Sequence, residues 1–123
     1  MALSSAKAYK AIFQFVEKRS PKEILARKQG YQKPDKVQVK GSQRSYDVDA
    51  MAIYDDSADV FAIEPDLKKT TITERIGRWI FLSILARERK GKFYLVTDEK
   101  IKEKVQELLD SKQIRAEVIA VKA

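Results

Sequence analysis

The 123-residue sequence contains neither cysteine nor histidine. The first absence removes disulfides, thiol nucleophiles and thiolate metal centres, and the second removes imidazole bases and histidine-ligated metals. Ser-His-Asp and Cys-His hydrolases are therefore excluded, and any chemistry must run on carboxylates, lysine, arginine, tyrosine or hydroxyls. Such oxygen donors suit hard cations of the Mg²⁺ type better than softer metals. Glycine and proline are scarce, at 4 and 3 residues, while 44% of the chain is hydrophobic and 35% charged, a balance that excludes a low-complexity or disordered chain. Long apolar runs are missing too. Trp79 to Ala86 is interrupted by Ser83 and falls far short of the roughly 20 residues a membrane span needs. The opening Met-Ala-Leu-Ser-Ser-Ala-Lys lacks the apolar core of a signal peptide. The expectation is one soluble, cytoplasmic domain over residues 1–123 with no membrane partner.

What the sequence has in excess is positive charge, net +7, and it is unevenly placed. Residues 1–46 carry net +8, residues 47–67 carry seven carboxylates and no basic residue, and residues 68–123 carry net +6. Seven carboxylates without a local counter-charge repel one another, so they need water, a cation, or basic side chains brought in by the fold.

Periodicity gives the elements. Ala6, Tyr9, Ile12, Phe13 and Val16 recur at helical spacing over residues 5–18. Ser20-Pro21-Lys22-Glu23 reads as an N-cap, a first-turn proline and a capping-box glutamate, predicting a short second helix through Ile24, Leu25 and Arg27 to about Gly30. Lys36 to Lys40 alternates as a short strand, Gly41-Ser42 supplies a turn, and Tyr46 to Tyr54 alternates again. After the polar turn at Asp55-Asp56-Ser57-Ala58-Asp59, Val60 to Ile63 forms the return strand, which Pro65 ends. Thr71-Ile72-Thr73-Glu74 is a second capping box, opening a helix to about Arg89. Apolar residues cover most of that helix's circumference, which predicts packing on more than one side, and Gly77 within it predicts a close approach by another element. Phe93 to Val96, a helix capped by Asp98, and Ala116 to Val121 complete an α/β sandwich with a mixed sheet.

This order, with Asp49 in Asp-Val-Asp-Ala-Met-Ala-Ile, Glu64 closing Asp-Val-Phe-Ala-Ile-Glu, the helix from Thr71 and the strand at Lys92 to Asp98, resembles the PD-(D/E)XK nuclease superfamily. The resemblance covers roughly residues 5–121 and implies a restriction-endonuclease-like sandwich, an αβββαβ core followed here by a helix and a strand. It implies that Asp49 and Glu64 jointly hold Mg²⁺, which lowers the pKa of a bound water and neutralises charge on the phosphate during phosphodiester hydrolysis. A lysine two positions beyond the glutamate belongs to the pattern, but this sequence has Asp66 there, in Glu64-Pro65-Asp66-Leu67-Lys68-Lys69. Lys68 or Lys69 takes the role, or Asp66 is a further metal ligand, or the site does not cleave. Asp47 is the runner-up to Asp49.

The basic residues of the first third, Lys33, Lys36, Lys40 and Arg44 among them, suit contact with a nucleic-acid backbone, DNA in the first place. Two readings follow: an Mg²⁺-dependent nuclease using Asp49, Glu64 and Lys68, or a non-catalytic nucleic-acid-binding or protein-interaction module that retains the fold. In a third, a small partner module, open to homodimerisation, uses its acidic hairpin against basic surfaces. Asp49 and Glu64 could also simply pair with Arg75 or Arg78.

Overall fold

A computed structural model describes residues 3–38, 44–68 and 70–123. Helix α1 (Ser5–Glu17) begins at Ser4, whose hydroxyl accepts the Lys7 N–H at 3.2 Å. Strands β1 (Glu23–Ala26), β2 (Val37–Gln38), β3 (Ser45–Tyr46), β4 (Ala50–Ile53) and β5 (Ala58–Glu64) follow. Helix α2 (Ile72–Glu88), strand β6 (Phe93–Asp98), a 3₁₀ turn at Glu99–Ile101, helix α3 (Lys102–Ser111) and strand β7 (Glu117–Val121) complete the chain.

Five strands form a mixed sheet in the order β1-β4-β5-β6-β7. The first three run antiparallel, whereas β5–β6 and β6–β7 are parallel, as strands joined through α2 and α3 require. Helix α1 covers one face, burying Tyr9, Ile12 and Val16 against Ala50, Ala52, Phe61 and Tyr94. Helices α2 and α3 cover the other, where Trp79, Leu82, Val105 and Leu109 meet Met51, Val60, Ala62 and Leu95. Strand β6 is buried along its whole length because both its faces are covered. No helix among the described residues is long and apolar enough to cross a membrane. The α/β class, the mixed sheet and the order of the last five elements are as the periodicity predicts.

Three local expectations are corrected. The segment predicted as a second helix is strand β1, paired with β4 from Glu23↔Ile53 to Ala26↔Ala50. Ser20, expected as N-cap, has φ 49, outside the extended region an N-cap occupies. Tertiary pairing overrides the capping signal because Ile24 and Ala26 pack with the α1 core while Leu25 packs with the α2 core, a two-faced alternation that only a strand satisfies. Consequently the first strand of the antiparallel trio is β1. The expected strand at Lys36 instead contributes β2 to a separate two-stranded ribbon with β3, and its continuation through Lys40 and Gly41-Ser42 lies outside the described residues.

The continuous strand expected over Tyr46 to Tyr54 is split, with residues 47–49 between β3 and β4. Met51 and Ile53 face the α2 side while Ala50, Ala52 and Tyr54 face α1, as alternation demands, but Val48 joins the α2-side core. The chain therefore turns at Asp49, immediately before β4.

Candidate functional site

Glu64 ends β5 in phase with Val60 and Ala62, so its side chain enters the α2 layer, where the residue is 2% exposed. A carboxylate there must be paired or fully hydrogen-bonded, because burying an unpaired charge is prohibitive. The partners come from one face of α2, at spacing i, i+3, i+4. Arg75 Nη1 donates to Glu64 Oε2, Arg78 Nη1 to Oε1 at 3.0 Å, and the Trp79 indole N–H to Oε1 at 3.1 Å.

Asp49 reaches the same cluster from the turn before β4. Its Oδ2 accepts the Ile63 N–H at 2.6 Å and Arg78 Nη2 at 3.0 Å. Behind it, the Tyr9 hydroxyl donates to the Asp49 carbonyl at 3.0 Å, tying α1 to this turn. Burial pushes the Tyr9 pKa above 10.0, and the nearby Asp49 charge pushes it further the same way. Arg78 additionally donates from Nε and Nη2 to the Asp47 carbonyl, at 3.2 and 2.8 Å, so each of its guanidinium nitrogens is engaged. Arg75 is fixed by the Thr71 hydroxyl, 2.9 Å from Nε, and by the Asp66 carbonyl at 3.1 Å. Thr71 is the N-cap residue of α2 but makes no side-chain capping bond; its hydroxyl orients Arg75 instead.

The side chains of Asp49 and Glu64 thus meet, and they meet on Arg78. Asp66, at the position of the missing lysine, lies 3.8 Å from Arg75 Nη2. Asp47, the runner-up, points elsewhere, to Arg27 at 3.4 Å and Lys36 at 4.0 Å. Lys68 is exposed, and its backbone carbonyl accepts the Thr71 N–H at 3.1 Å; Lys69 lies outside the described residues. Among the described residues, no group of three or more carboxylates is gathered to hold a metal ion. The Asp49 and Glu64 oxygens are bonded here to guanidinium and indole donors and to the Ile63 backbone N–H.

A cleft of about 790 Å³ opens over this cluster, lined by Arg44, Tyr46, Asp47, Asp49, Glu64, Thr73, Arg75 and Arg78 among others. Tyr46 forms part of its wall, packed on Phe81 at 5.1 Å and lying 3.5 Å from where a Cβ on Gly77 would sit. That is an ordinary van der Waals distance, so the close approach expected from Gly77 is not one that excludes a larger residue. Of the basic residues expected to touch nucleic acid, Arg44 lines the cleft, Lys36 stands beside it through Asp47, Lys33 is exposed, and Lys40 lies outside the described residues.

The sequence alone offers Arg75 and Arg78 only as counter-charges, and it does not show that Trp79, Thr71 and Tyr9 serve this cluster. The one available signal was the Arg75, Arg78, Trp79 spacing on a helix that follows an acidic strand end. No family model matches the chain, and no curated protein matches it.

Proposed function

We propose that this chain is a nucleic-acid-binding module with a restriction-endonuclease-like fold, in which arginines have taken the place that a metal ion would fill between the two carboxylates. The observation that carries this reading is Arg78, which bonds Asp49 and Glu64 at 3.0 Å each. Asp66 at the lysine position and the exposed Lys68 support it, because neither supplies a cation beside Glu64. The helix, three antiparallel strands, helix and strand of the main sheet support the fold assignment. Nucleic acid is the favoured ligand because basic residues flank the cleft and the chain carries net +7.

The second reading, an Mg²⁺-dependent nuclease, draws on the same convergence. Asp49 and Glu64 reach a common point, which paired metal-ligating carboxylates also must do.

Purified protein incubated with single-stranded, duplex and branched DNA and with RNA, in Mg²⁺ or Mn²⁺, separates the two. The expected result is no cleavage, together with binding that weakens steeply as salt rises. Cleavage that disappears in Glu64→Gln would replace the module with the nuclease. Undetectable or salt-independent binding would remove nucleic acid as the ligand.

A further inference from the structure

Helix α2 is apolar around most of its circumference, yet the sheet and its neighbours cover only part of it. Trp79, Leu82 and Leu85 are buried, whereas Ile80 and Ile84, one turn apart, each remain 41% exposed. Both open into a groove of about 810 Å³ between α2 and α3, lined also by Phe93 and Ile114. The groove lies beside the start of β6 and β7, at the opposite end of the sheet from Glu64. On its rim Arg87, Lys90, Lys112 and Arg115 are exposed, and none has an ion-pair partner among the described residues. The rim's two acids are already engaged, Glu117 by Lys92 at 3.3 Å and Asp110 by Gln106 at 3.0 Å.

We propose that this groove is a docking site for an acidic amphipathic helix of another protein. Its apolar residues, spaced i, i+4, would cover Ile80 and Ile84, and aspartates or glutamates on its flanks would meet the four rim cations. A helix fits because α2 and α3 are crossover helices of one layer, and the space between them takes a third by the same ridge-into-groove packing. Acidic flanks follow from the surplus positive charge of the rim. A nucleic-acid backbone would satisfy the cations but leave the two isoleucines in water. A second copy offers exposed acids on the tight Asp55-Asp56 turn and, as Glu103 and Glu107, on helix α3, but the i, i+4 apolar pair of that helix, Val105 and Leu109, is buried in its own core. The inference is independent of the nucleic-acid reading of the other cleft.

A phage library of roughly 16-residue peptides, long enough to form a helix, is panned on the wild-type protein and counter-selected on Ile80→Lys/Ile84→Lys. Enriched sequences should carry apolar pairs at i, i+4 and net negative charge. Synthetic copies should bind Ile84→Lys and Arg87→Glu/Arg115→Glu about tenfold or more weakly, and should weaken between about 0.05 and about 0.3 M salt. Both variants alter exposed side chains, and their melting temperatures should match wild type, which separates lost docking from lost folding. No enrichment, enriched peptides without this pattern, or equal binding by the variants overturns the proposal. Loss of DNA binding in Arg87→Glu/Arg115→Glu would assign the rim to nucleic acid instead. Concentration-dependent self-association abolished by Ile84→Lys would assign the groove to a second copy.

Discussion

The two clefts of this molecule are nearly equal in volume, about 790 and 810 Å³, and opposite in how their charges are used. Over the end of β5, Asp49 and Glu64 are bonded to arginines of the same chain, and Arg78 has no guanidinium nitrogen to spare. Between α2 and α3, four rim cations are without ion-pair partners among the described residues, and two isoleucines face solvent. Charge paired internally is committed to the fold and is costly to leave half-paired; charge and apolar surface left unsatisfied are available to a partner. Helix α2 serves both, presenting Arg75, Arg78 and Trp79 to Glu64 in its first half and Ile80 and Ile84 to the groove further on.

The contrast is broken most severely at Glu64. Replacing it by leucine leaves two partly buried arginines and a buried indole N–H without their acceptor, so chemical denaturation should register a loss of about 3–5 kcal/mol. A loss below about 1 kcal/mol would mean that the cluster is solvated and not structural. At the other cleft, Gly91 is the position intolerant of change. A Cβ there would lie 1.9 Å from the Ala58 carbonyl oxygen, a backbone atom that cannot rotate away. Gly91→Ala should therefore cost about 1–3 kcal/mol by the same measurement.

Tyr9→Phe removes one hydrogen bond to the Asp49 carbonyl and should cost about 1 kcal/mol near neutral pH. The Tyr9 pKa is raised in the folded protein, so its contribution is fully present below about pH 10 and is lost as pH rises beyond that. Denaturation midpoints of wild type and Tyr9→Phe should accordingly stay apart up to about pH 10 and converge only as pH rises above it. Parallel curves would show that the hydroxyl titrates alike in folded and unfolded chains. The smallest effect belongs to the groove: Ile84→Lys should change stability by about 0.5 kcal/mol or less, since its side chain already faces water. A large loss there would mean that the groove is closed in solution.

Helices α1, α2 and α3 and strands β5 to β7 are legible because their apolar residues recur at one period and their ends carry Pro65, Gly91 or Asp98. Strand β1 is not, because Ser20 to Glu23 carries a helix-start signal that only pairing with β4 defeats. Asp49 and Glu64 could be picked out as carboxylates at strand ends, and the structure brings them together. That they meet on Arg78 could not be read, since Arg78 is 14 positions from Glu64 and 29 from Asp49.

The sequence alone determined the segregation of charge, a carboxylate-rich stretch between two basic ones, and with it the need for counter-charge. It also determined, by omitting histidine and cysteine, that a site here has no imidazole or thiol to use. Only the tertiary structure decided where that counter-charge comes from. Arg27 and Lys36 go to Asp47, Arg78 to Asp49, and Arg75 with Arg78 to Glu64, while the backbone N–H of Lys92 serves Asp59 at 2.8 Å. Local patterns report which residues prefer water or an interior; which charge neutralises which is fixed by strand phase and helix placement, and those arise from contacts between segments far apart in the chain.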